Sequence, residues 1–76
     1  MIEIEVKLFA TLVKYRPKES DAFKLPDKTT IAGLLSKLNI PEEETKLIFV
    51  NGKKQPMTHE VQHGDRVGIF PPVGGG

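Results

Sequence analysis

Residues 2–8 read Ile-Glu-Ile-Glu-Val-Lys-Leu, an unbroken alternation of apolar and charged side chains. Successive side chains of a strand point to opposite faces, so this period fits a half-buried strand and does not fit a helix. Ile2, Ile4, Val6 and Leu8 then face a core, and Glu3, Glu5 and Lys7 face away from it. A sheet that is apolar on one side needs a covering layer, and 76 residues leave room for little more than one. Phe9 falls on the charged side if the strand runs on. An aromatic there is either a sheet-edge contact or part of a docking surface.

The covering layer is legible as one helix. Ile31, Leu34, Leu35 and Leu38 recur at i, i+3, i+4 and i+7, a single apolar stripe. Thr29 or Thr30 can cap its N-terminus, and Asn39 and Pro41 stop it. Gly33 inside it costs about 1 kcal/mol against alanine, and close packing against a strand is the expected reason. Between the first strand and the helix, residues 10–20 carry no clean period. Arg16-Pro17-Lys18 reads as exposed loop, while Leu12, Val13 and Tyr15 are expected to cover one end of the core. A short second strand is expected from Asp21 to Leu25, before the turn Pro26-Asp27-Lys28.

After the helix, Glu42-Glu43-Glu44 follows Pro41, a spacing that opens a short helical turn with its acids in solvent. Leu47-Ile48-Phe49-Val50 reads as a buried strand. Asn51-Gly52 is the strongest short hairpin signal a sequence offers, and Lys53-Lys54-Gln55 returns as a short charged edge strand. Gly64-Asp65 turns into the last strand, Arg66 to Phe70, with Val67 and Ile69 inward and Gly68 and Phe70 outward. The result is an α+β domain over residues 1–70, a mixed sheet of about five strands crossed by one main helix. Residues 71–76 are left as a tail.

Composition excludes several function classes. With no cysteine there is no disulfide, thiolate metal site or cysteine nucleophile. Eleven basic and ten acidic side chains give a net charge of +1, so no nucleic-acid partner is expected. No apolar run approaches the roughly 20 residues that span a bilayer, and no basic leader precedes one. A soluble, cytoplasmic protein with no membrane partner is the expectation. His59-Glu60-Val61-Gln62-His63 matches the H-E-x-x-H zinc-peptidase pattern, which needs both histidines on one helical face. Pro56 before it and Gly64-Asp65 directly after it leave barely two turns. An exposed connection with Val61 in the core is expected there, and no metal site.

The chain ends Phe70-Pro71-Pro72-Val73-Gly74-Gly75-Gly76. The prolines hold the exit extended, and the glycines have no side chain to pack. From Pro71 to Gly76 such a segment could reach about 20 Å, at roughly 3.3–3.6 Å per extended residue. A stiff base with a slender tip suits the delivery of a C-terminal carboxylate into a partner's narrow channel.

With Leu8-Phe9-Ala10, Val50-Asn51 and Gly64-Asp65-Arg66-Val67, this ending resembles the MoaD-type small subunit of molybdopterin synthase, within the MoaD/ThiS sulfur carriers. The likeness runs over nearly the whole chain and is densest in the last thirteen residues. It implies the ubiquitin-like β-grasp fold. It also implies a carrier rather than an enzyme. ATP, used by a ubiquitin-activating-type adenylating enzyme, would activate the Gly76 carboxylate, and a sulfur donor system would convert it to a thiocarboxylate. The molybdopterin synthase large subunit would then use that sulfur on a pterin precursor. No cofactor bound by the chain itself is implied. Gly76 and Gly75 would be the reacting tip, and Phe9, Phe70, Pro71, Pro72, Val73, Gly74 and Lys54 the partner-binding residues. The chain departs from the family pattern at Val13 and Lys14, near the place of an Arg-Glu pair, and at Lys54, where an apolar residue is usual. A carrier for thiamine synthesis, a ubiquitin-like protein modifier and an inert β-grasp interaction module are the alternatives.

Overall fold

The structure is a computed structural model that describes residues 1–72. Its elements in chain order are β1 (Ile2–Leu8), a 3-10 turn (Ala10–Tyr15), β2 (Phe23–Leu25), α1 (Ile31–Leu38), a second 3-10 turn (Glu42–Glu44), β3 (Leu47–Val50), β4 (Lys53–Lys54) and β5 (Arg66–Phe70). The strands form one sheet in the order β2-β1-β5-β3-β4. β1 and β5 are parallel, and the other neighbours are antiparallel. This is the β-grasp architecture, a five-stranded mixed sheet gripping one main helix.

The alternation of β1 sets the two faces of the sheet. Ile4 and Val6 are buried and Ile2 and Leu8 pack at the margin, while Glu3, Glu5 and Lys7 point the other way. Ile31, Leu34, Leu35 and Leu38 of α1 meet Ile4, Val6, Ile48, Val50, Val67 and Ile69 in one core. That core is what holds an eight-residue helix together, since isolated helices of this length are marginal in water. Thr30 caps it by accepting from the Gly33 amide at 3.2 Å, and Asn39 closes it in the left-handed region at φ 60°. Thr30→Ala is therefore expected to cost about 0.5–2 kcal/mol, measured by urea unfolding.

Four expectations need correction. Gly33 does not pack against a strand: an added Cβ would lie 3.2 Å from Thr29 Cγ2 and 3.6 Å from Thr30 Oγ1, so it is Thr29, the residue before the cap, that crowds it. Val13 does not cover the core but is 55% exposed, while Leu12 beside it is fully buried. β2 begins at Phe23, because Glu19–Ala22 forms a turn whose Ser20 carbonyl takes the Val6 amide at 2.7 Å. The Leu47–Val50 strand is not buried on both sides. Ile48 and Val50 enter the core, and Leu47 and Phe49 lie half-buried on the outer face.

The turns are held by more than local chemistry. Asn51 and Gly52 both have positive φ, 54° and 84°, as the tight hairpin into β4 requires. Asn51 also donates through Nδ2 to Asp65 Oδ1 at 2.9 Å and accepts the Arg66 amide at 3.0 Å. Asp65, almost buried, takes the Gln62 amide on its other oxygen at 2.7 Å. Two turns fourteen residues apart are thus locked together across the end of the sheet. At the opposite end the Tyr15 hydroxyl donates to Glu44 at 3.0 Å, with Lys14 3.9 Å from the same carboxylate. Desolvation, then the Glu44 hydrogen bond and the charges of Glu44 and Glu43, push the Tyr15 phenol above its ordinary range. So the acidic turn is not wholly a solvated face. No helix among the described residues is long and apolar enough to cross a membrane.

Candidate functional site: an aromatic face at the end of the last strand

The parallel pairing of β1 with β5 sets Leu8 beside Ile69, and so Phe9 beside Phe70. Both rings lie on the outer face, as strand parity predicts. They stack with centroids 4.2 Å apart and planes 2° from parallel. The antiparallel pairing of β3 with β5 sets Phe49 opposite Gly68, and its ring meets Phe70 edge-on at 5.6 Å and 86°. The three rings surround a shallow depression of about 380 Å3 whose rim carries Glu5, Lys7 and Arg66. Phe9 is 38% exposed. A small protein seldom leaves an aromatic cluster open to water without a use for it.

Backbone geometry fixes this cluster. The Phe9 amide donates to the Ile69 carbonyl at 3.2 Å, and the Lys46 amide donates to the Phe70 carbonyl at 2.8 Å. Phe70 is therefore paired to its last atom before Pro71 and Pro72 end the ladder. Ala10, directly after Phe9, has φ 53°, a conformation L-residues rarely take. That turn leaves Phe9 on the outer face and lets Leu12 enter the core two residues further on. Gly68 sits beneath the rings. An added Cβ would lie 3.4 Å from Phe9 and 3.7 Å from Phe70, so the space above this glycine is taken by the protein's own aromatics and does not await a partner's side chain.

Of the residues singled out by sequence, Phe9 and Phe70 come together here. Lys54 joins their face, exposed and paired with Phe49 across β3 and β4. Pro71 is half-buried and Pro72 exposed. Val73, Gly74, Gly75 and Gly76 lie outside the described residues. Phe49 was missed, because a continuous apolar run gives no parity; only the register of β3 on β5 assigns its face.

His59 and His63 are not on a helix. Val61 between them is buried at 1%, Glu60 forms a single bridge with Thr30, and His63 Nδ1 accepts the Glu3 amide at 3.1 Å. Among the described residues no three His, Asp or Glu side chains gather to hold a metal ion. Replacing both histidines with alanine is expected to cost at most about 1 kcal/mol, one exposed hydrogen bond. Unfolding curves and metal analysis check this, and stoichiometric zinc lost on replacement would contradict it.

A five-stranded mixed sheet gripping one main helix is the fold of the ubiquitin-like β-grasp proteins. The chain belongs to the ThiS family, whose profile matches residues 6–76. Members of this class are small sulfur carriers or ubiquitin-like modifiers rather than catalysts. Solved structures agree on the fold. A putative molybdopterin converting factor subunit 1 from Pyrococcus furiosus has TM-score 0.75 at 25% identity, over 96% of this chain and 100% of that one. The Haloferax volcanii protein HVO 2177 has TM-score 0.76 at 27% identity, over 99% and 87%. The small archaeal modifier protein 1 of Haloferax volcanii has TM-score 0.73 at 18% identity, over 96% and 100%, a likeness of fold. Comparison with the curated proteins finds no match.

Proposed function

We propose that the chain is a cytoplasmic sulfur carrier for molybdopterin synthesis. The observation that carries this reading is the Phe70-Pro71-Pro72-Val73 sequence leading into three glycines from a strand end flanked by an open aromatic face. A carboxylate is a poor electrophile because its oxygen leaves badly. An adenylating partner would join the Gly76 carboxylate to AMP from ATP, releasing pyrophosphate. A sulfur donor would then displace AMP to give a thiocarboxylate, a softer and stronger nucleophile toward the pterin precursor. The chain needs no cofactor of its own for this; ATP belongs to the activating enzyme. Phe9 and Phe70, with Phe49, Lys54 and the Pro71–Gly74 segment, would be held by the adenylating enzyme and then by the large subunit of the synthase.

Incubation with an adenylating enzyme, ATP and a sulfur donor, followed by intact-mass measurement, tests the reading. The expected product gains one sulfur in place of one oxygen. A diglycine end also suits a protein modifier, which the same samples would show as covalent conjugates to lysine. Transfer of the sulfur to a pterin precursor only in the presence of the large subunit would assign the pathway.

A further inference from the structure

The outer face is not only aromatic. Register places Lys7, Lys24, Lys54 and Arg66 on it, against the two carboxylates of Glu3 and Glu5. Glu5 lies 3.6 Å from Lys7, and among the described residues no carboxylate lies within 4 Å of Lys54 or Arg66. Glu44, at the end where the last strand runs out, already contacts Tyr15 and Lys14 of the first 3-10 turn. Lys54 and Arg66, both exposed, make no ion pair among the described residues and stand on the face that carries Phe49, Phe70 and Phe9. Glu5, the register neighbour of Arg66 on β1, lines the same depression but is turned to Lys7, which leaves this face with four cations against two carboxylates.

We propose that this face selects its activating enzyme by charge, taking an apolar projection onto the three rings and enzyme carboxylates onto Lys54 and Arg66. The inference rests on the carrier reading above and adds the chemistry of the partner surface. An excess of cations around an apolar centre contributes on-rate and discrimination, because a basic or neutral rim on a wrong partner leaves that excess uncompensated. A nucleic acid is the less suitable anion. Phe9 and Phe70 spend one ring face each on the other, so they do not form an open stacking platform, and the whole chain carries only +1.

The test is the KM for the carrier in ATP–pyrophosphate exchange by the adenylating enzyme of the same organism, at low and at high salt. Combined Lys54→Glu and Arg66→Glu is expected to raise KM by about tenfold or more at low salt, with kcat near that of the wild type. It should also flatten the rise of KM with salt that the wild type shows. Lys54→Gln with Arg66→Gln, which asks less of the fold, should move KM the same way by a smaller factor, and Lys24→Glu at the far edge should not move it. Exchange whose KM stays within about twofold in both double variants, or whose salt dependence survives, overturns the proposal and leaves the carrier reading standing. Salt-sensitive binding of a single-stranded oligoribonucleotide that competes with the enzyme also overturns it. No exchange with the wild-type chain would remove the carrier reading, and this proposal with it.

Discussion

Deleting Gly76, or replacing Gly75 with a bulky residue, is expected to abolish thiocarboxylate formation while changing stability by no more than about 0.5 kcal/mol. The first half follows from the proposed chemistry. The carboxylate must reach the α-phosphate of ATP inside a partner, and a side chain on the preceding residue widens a segment that otherwise presents bare backbone. The second half follows from the fold. Among the described residues every buried apolar side chain lies between Ile4 and Ile69, and the last backbone bond of β5 is the one the Phe70 carbonyl accepts from Lys46. Among the described residues that core and that ladder close at Ile69 and Phe70, so loss of Gly76 is expected to leave both intact. Intact mass after the activation reaction reads the first effect, and urea unfolding reads the second. Unchanged sulfur loading of the truncated chain would show that the reach of the tail is not limiting, and failure of the full-length chain to load would end the carrier reading. Normal loading of a Gly75→Phe variant would show that the channel is wide and that the glycines serve another purpose.

What sequence could and could not supply divides along physical lines. β1, α1 and the Asn51-Gly52 hairpin were legible because each has a period or a turn chemistry that admits one backbone conformation. Ala10–Tyr15 was not, because a single 3-10 turn buries one residue, Leu12, and one buried residue makes no period. Its neighbour Val13 is as apolar as Leu12 and points to water, a difference set by the turn at Ala10 and by no preference of valine. The outer position of Phe9 and Phe70 followed from parity. Their stacking did not, since it depends on side-chain rotamers that parity does not set. Phe49 and the Asn51–Asp65 lock were out of reach for a common reason: both are set by pairings between segments distant in the chain. The described part of the candidate site is therefore half local and half tertiary.

That division can be measured on two adjacent residues of β5. Ile69 is fully buried between β1 and β3, while Phe70 is half-buried on the opposite face. Ile69→Ala is expected to cost about 2–5 kcal/mol of stability, the transfer free energy of the lost atoms together with the cavity they leave. For a domain of this size that approaches the whole margin, so part of the population unfolds at 37 °C. The variant that remains folded, assayed at low temperature, should dock on its partners with near-normal affinity, because the outer face is untouched. Phe70→Ala should do the reverse. It removes the ring stacked on Phe9 and met by Phe49, and partner affinity is expected to fall by more than about 1 kcal/mol, as at a central aromatic anchor. Its stability cost should stay below the roughly 3–5 kcal/mol of a fully buried phenylalanine, because one side of the cluster is already in water. Phe9→Ala should follow Phe70→Ala in both respects. Denaturant unfolding paired with titration calorimetry against the adenylating enzyme and the large subunit separates the cases. A Phe70→Ala protein that loses as much stability as Ile69→Ala while binding normally would make the rings part of the core and move the docking surface elsewhere.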